Sequence, residues 1–193
     1  MASDALPEDP REGQAARGIV LWQDETGFRS ECSHGRSFSP RGVTPVKEVT
    51  GQRFGVNMIS AIGNDGSLRF QLFKGKFNQF VFIEFLELLI EHHSDRKVFL
   101  IVDGHPSHRS KLVIAWVAEH AKRIELHFLP SYSPELNPVE LLNHDVKANA
   151  VGRQRPRNLA ELVESVTSYL RGRQGQPHIV QRFFTHPATA YAR

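Results

Sequence analysis

Three acidic residues stand where the chain could aim them at one point: Asp24, Asp103 and Glu140. Asp24, with Glu25 beside it, is delivered by a short apolar strand over 18–23, GIVLWQ. Asp103 follows the continuous apolar run 97–102, KVFLIV, which suits a strand buried on both faces. Gly104 and Pro106 then force a sharp loop through His105, Ser107 and His108. Glu140 ends the stretch 128–140, FLPSYSPELNPVE, read as a strand end, a rigid turn and a first helical turn. Pro130 and Pro134 remove backbone donors and stop the ladder. Asn137 reads as an N-cap and Pro138 as the first helical residue. A carboxylate leaving a buried strand is costly unless something pairs it. Three that converge repel one another strongly without a cation. An all-oxygen ligand set favours a hard ion, Mg²⁺ or Mn²⁺. Two such ions roughly 3.5–4 Å apart can activate a water and stabilise the leaving oxygen of a phosphodiester. Each acid alone has a plainer role: Asp24 can cap a turn before Gly27, and Glu140 can complement a helix dipole. Glu135 and Asp145 compete with Glu140 for the third position. His105 and His108 lack a third ligand of matching type, so they are read as supporting Asp103 or contacting DNA.

The elements that must position these acids follow from pattern. The segments 53–62 and 67–74 read as two further strands joined by the turn Gly63-Asn64-Asp65-Gly66. Asn78 should cap a helix over 79–93, with Phe82, Leu86, Leu89 and His93 on the buried face and Glu84, Glu87 and Glu91 in solvent. A helix is expected over 110–122, a strand over 124–129, a helix over 140–150, and a last helix over 159–170 capped by Asn158. Ile179, Val180, Phe183, Phe184 and Tyr191 are expected to pack back. A meander of three strands followed by two parallel strands with crossover helices gives an α/β fold. Its mixed five-stranded sheet is flanked by helices. The first and fourth strands can then lie side by side and bring Asp24 to Asp103.

Composition limits the alternatives. The chain has 193 residues, 40% hydrophobic and 23% charged, which suits one globular domain with a real core. No apolar run reaches a membrane span, and the N-terminus lacks a signal-peptide core. A single cysteine, Cys32, cannot form an internal disulfide, so a cytosolic compartment is expected. The formal charge is +3, but residues 147–193 carry eight Lys or Arg against two acids. An acidic site with a basic flank suits an enzyme acting on a polyanion. Arg36 and Arg41, in a Ser/Gly/Pro-rich stretch over 29–47, could meet phosphates, as could Lys147, Arg153 and Arg155. Residues 1–17 have no apolar period and read as a disordered lead with no helix-turn-helix.

Four segments resemble one known family. They are 23–28 (QDETGF), 39–42 with 44–46 (SPRG and TPV), 102–108 (VDGHPSH) and 129–140 (LPSYSPELNPVE). Together they make residues 18–150 similar to the catalytic domain of DDE transposases, in the Tc/mariner-related branch of bacterial insertion sequences. Glu140 follows Asp103 by 37 residues, near the family's gap. The resemblance implies an RNase H-like fold over 18–150, followed by a basic helical extension over 151–193. It also implies that Asp24, Asp103 and Glu140 hold two Mg²⁺ or Mn²⁺ ions. Glu140 is preferred as third acid because it follows Asn-Pro as the family's glutamate does. The implied partner is double-stranded DNA, both element ends and target, with self-association or a helix-turn-helix partner product. The implied location is the bacterial cytoplasm, at the nucleoid. Phe38 and Asn143 stand where the family often has Trp, and both are read as affecting packing or DNA contact rather than metal ligation. Two other readings stay open: a silent or regulatory fragment of a split transposase, and a general RNase H-like nuclease.

Overall fold

Apolar and alternating stretches between residues 19 and 73 make three strands, the continuous apolar run 98–102 makes a fourth, and the alternating stretch 124–128 makes a fifth. The computed structural model describes residues 18–30, 40–43, 53–130 and 133–192. The expected lead over 1–17, Cys32, Arg36, Phe38 and the 44–46 motif lie outside the described residues. The strands are β1 (Ile19–Arg29), β2 (Gly55–Gly63), β3 (Leu68–Phe73), β4 (Val98–Val102) and β5 (Ile124–Phe128). They form one sheet in the order β3-β2-β1-β4-β5. β1–β2 and β2–β3 are antiparallel, while β1–β4 and β4–β5 are parallel. This is the expected mixed five-stranded arrangement, with β1 beside β4.

β1 does not stop at Gln23. It continues to Arg29 because β2 keeps pairing it, from Asp24 opposite Ser60 to Arg29 opposite Gly55. Thr26 and Phe28 continue the buried alternation. Only the parallel seam with β4 ends early, at Trp22 opposite Ile101. Asp24 therefore sits two residues past the end of that seam, inside a strand held on its other side.

Period-2 alternation sorts the core into two layers. Leu21, Ile59 and Leu100 face one side, packed under α1 (Gln79–His92) and α2 (Lys111–Glu119) through Phe82, Phe85, Leu86, Leu89 and Val113. Trp22, Met58 and Ile101 face the other, packed under three further helices. These are α3 (Val139–Val146), α4 (Leu159–Gln174) and α5 (Pro177–Arg182). On α1, Asn78 accepts from the N–H groups of Phe80 and Val81, His93 is buried, and Glu84, Glu87 and Glu91 are exposed, as expected. α2 is shorter than expected. After Glu119 the His120 N–H turns back to the carbonyls of Trp116 and Val117, and a turn over 120–123 leads into β5.

The helix carrying Glu140 departs from its expected form. It is α-helical only to Val146, then π-helical over Lys147–Arg153. The Ser165 hydroxyl donates to the Ala150 carbonyl at 2.6 Å, giving the widened turn an outside partner. α4 starts at its expected cap, where Asn158 accepts from the Glu161 N–H, and runs a turn longer than expected. Beyond it Val180 and Phe184 are buried, Phe184 standing edge-on to Trp22 at 5.1 Å. Among the described residues no helix is long and apolar enough to cross a membrane.

Candidate active site

The site is built where β1 parts from β4. Alternation on β1 points Asp24 to the side of Trp22, over which α3 lies, and Glu25 to the opposite side. α3 is fastened to β1 by two amides. The Asn137 Nδ2 donates to the Gln23 carbonyl at 2.9 Å, while its Oδ1 accepts from the Val139 N–H at 3.1 Å. The helix begins one residue later than expected, with Pro138 at the N-cap; Asn137, just before it, satisfies the Val139 N–H and pins the start of the helix to the strand. One turn after Glu140, the buried Asn143 donates from Nδ2 to Asp24 Oδ2 at 2.8 Å. Asn143, expected to bear on packing or DNA contact, meets an acid instead.

The electrostatics couple the acids. Burial first, then the charges of Glu140, Glu25 and Asp103, push the Asp24 carboxyl from 3.8 up to about 8, against one backbone hydrogen bond that lowers it. Burial alone would also raise Asp103. The hydrogen bond from His108 and the His105 N–H outweigh it and hold Asp103 below its ordinary value. The His105 N–H lies 2.9 Å from Asp103 Oδ1, and His108 Nδ1 lies 3.0 Å from the same oxygen and 3.2 Å from the Asp103 carbonyl. Burial raises Glu25, with His108 opposing.

His108 is therefore no surface contact. Its side chain is wholly buried, its ring 4.4 Å from that of Phe82 and 5.4 Å from that of Phe77. No phosphate can reach it, and what it touches is Asp103. Its Nε2 faces Glu25 Oε2 at 4.0 Å. Among the described residues, the group whose potential ligand atoms all lie within 4.8 Å is Glu25, Asp103 and His108. Asp24 and Glu140 are joined to Asp103 more loosely, through the field at Asp24. Sequence reasoning gave Glu25 no role, although its adjacency to Asp24 already put it on the opposite face of β1.

The competing acids are otherwise engaged or exposed. Asp145 accepts from Arg173 Nε at 2.9 Å, from the Tyr169 hydroxyl at 2.7 Å and from Asn149 Nδ2 at 2.9 Å. Glu135 is exposed in the short turn Pro134–Leu136. Arg41, Arg153 and Arg155 are exposed, Lys147 is half-buried, and His105 is half-buried with its ring accepting from the Ser107 N–H. Asp24, Asp103 and Glu140 each offer only hard oxygen donors. Burial first, and then the acidic neighbours, drive the Asp24 carboxyl up to about 8, and the neighbours' share is what a divalent cation would relieve.

Residues 19–163 match the family described as DDE superfamily endonuclease. The chain belongs to that family. Solved structures agree on the fold, which is RNase H-like. The Mos1 strand transfer complex superposes with a TM-score of 0.67 at 17% identity, over 94% of this chain and 55% of that one. The Mos1 mariner paired end complex with Mn gives 0.65 at 17% identity, over 94% and 56%. The catalytic domain of Mos1 mariner transposase gives 0.59 at 17%, over 94% and 81%. The chain thus spans about half the length of the Mos1 chains in the two complexes. No curated protein matches it in sequence.

Proposed function

We propose that the chain is the catalytic domain of a transposase, cutting and joining DNA strands with divalent ions held by Asp24, Asp103 and Glu140. The observation that carries this reading is the crowding at Asp24, a half-buried carboxyl on the α3 side of β1 that is tied to Asn143 and raised by burial first, then by the charges of Glu140, Glu25 and Asp103. Family membership supports a phosphodiester substrate. Asp24 binds from a strand clamped by β2, Asp103 from a loop fixed by His105 and His108, and Glu140 from a helix pinned by Asn137. Two Mg²⁺ or Mn²⁺ ions, when bound, supply activation of a water and charge stabilisation on the leaving oxygen. Water attacks a phosphodiester at an element end and frees a 3′-hydroxyl, which then attacks target DNA in one transesterification. Arg41, Lys147, Arg153 and Arg155, with His105 nearer the acids, meet the phosphates of the duplex. Recognition of the element ends belongs to a helix-turn-helix region or partner, with self-association bringing two ends together. The setting is the bacterial cytoplasm, at the nucleoid.

The test replaces Asp103 with Asn and follows Mg²⁺-dependent cleavage of terminal-repeat DNA. Loss of cleavage is expected, and unchanged cleavage would refute the assignment. Equal cutting of DNA without the ends would mark a general nuclease instead.

A further inference from the structure

We propose that Asn143 is a positioning residue for the metal centre, its buried amide holding one oxygen of Asp24 so that the other faces the ion. The inference rests on the reading of Asp24 and Glu140 as ligands. Asn137, Glu140 and Asn143 recur every third residue and so share one face of the helix start. That face lies along β1, where Asn137 bonds the Gln23 carbonyl and Asn143 the Asp24 carboxylate, at 2.9 and 2.8 Å. A carboxylate, the form that a bound cation requires, can only accept, so the amide presents Nδ2 to it. The other end of the amide is then stranded: Asn143 Oδ1 is buried with no hydrogen-bond partner. Orphaned buried acceptors are uncommon and call for a reason. Packing supplies none, because the flanking Val139, Leu142 and Val146 are apolar and a leucine would sit among them without the orphan. The gain lies at Nδ2. One helix turn thereby carries both the third ligand and the clamp on the first, so that docking α3 sets two of the three acids at once.

The test titrates Mn²⁺ into the full chain by calorimetry, with folding checked by circular dichroism. Asn143→Leu should weaken Mn²⁺ binding roughly 10- to 100-fold, the usual effect of losing a partner that orients a ligand. Asn143→Ser, which adds no bulk and cannot reach Asp24, should do the same and stands in if Leu disturbs folding. Asn143→His keeps an N–H at similar reach and should restore most of the affinity, which a purely structural role would not. Glu140→Gln separates the two levels of the argument. Wild type binding Mn²⁺ no better than Glu140→Gln overturns the metal-centre reading and this inference with it. Wild type binding better than Glu140→Gln, but no better than the Leu and Ser variants, overturns this inference alone. So does a His variant no better than Ser.

Discussion

Replacing Asp24 with Asn should stabilise the metal-free protein at alkaline pH and at the same time remove its response to metal. The Asp24 carboxyl stands at about 8 in the folded chain against 3.8 in an unfolded one. Between those values the folded chain holds a proton that the unfolded chain has lost. Stability therefore falls as pH rises through that window and is level above it. Near pH 4 the wild type bears almost none of this penalty, and at pH 9 it bears all of it. A shift of about 4 units at ~1.4 kcal/mol each sets a ceiling of roughly 6 kcal/mol. Asparagine is neutral throughout, and its side-chain oxygen can still accept from Asn143. The gain of the variant over wild type should thus grow from near zero at pH 4 to its full value by pH 9. Even a quarter of the ceiling, ~1.5 kcal/mol, would move Tm by about 3–6 °C in a chain of this size. The assay is thermal or urea unfolding in EDTA at pH 5, 7 and 9. Adding Mn²⁺ at 100 times its Kd should stabilise wild type by about 2.7 kcal/mol and leave the variant unmoved. A variant whose advantage is the same at pH 5 and pH 9, or which is less stable at pH 9, would refute the account of Asp24.

Two further perturbations test the supports. His108→Leu keeps the apolar packing against Phe77 and Phe82 but frees Asp103; Mg²⁺-dependent cleavage should fall roughly 10- to 100-fold, with a circular dichroism spectrum like wild type's. Phe184→Ala removes the ring that stands edge-on to Trp22 beneath β1 and should cost about 3–5 kcal/mol in urea unfolding, showing that the last helices belong to the core that carries Asp24.

Much of this was legible in the residues because it depends on local signals. A continuous apolar run marked β4, alternation marked β3 and β5, the turn Gly63-Asn64-Asp65-Gly66 marked the end of β2, and Asn137-Pro138 marked the start of α3. What stayed hidden depends on partners remote in sequence. The length of β1 was set by β2, which pairs it through Arg29. The π-helical turns after Val146 cannot be seen in a 3.6-residue pattern; their partner, Ser165, comes from another helix. Asn143 looked like a lost Trp because its bond to Asp24 crosses 119 residues. Glu25 and His108 were visible singly, and only the fold of the Asp103 loop over Phe82 brought them together.

The three acids are held by different means, and the difference bears on how the centre adjusts. Asp24 stands in a strand whose backbone is paired without a break on one side, and its carboxylate is tied to Asn143. Asp103 stands in a loop, but two hydrogen bonds grip the same oxygen. Glu140 is placed only through its helix; among the described residues its carboxylate has no hydrogen-bond partner, and its charge is spent repelling Asp24. Backbone position is thus fixed for all three, while side-chain freedom is left to one. In the proposed two-step reaction the phosphates and ions would change their separations, and a centre of three rigid ligands could not follow them. A helix-borne glutamate with free torsions can follow, provided the helix itself does not drift. Asn137 and Asn143 prevent that drift by tying one face of α3 to adjacent residues of β1, which is why the third acid can sit on a helix without loosening the other two.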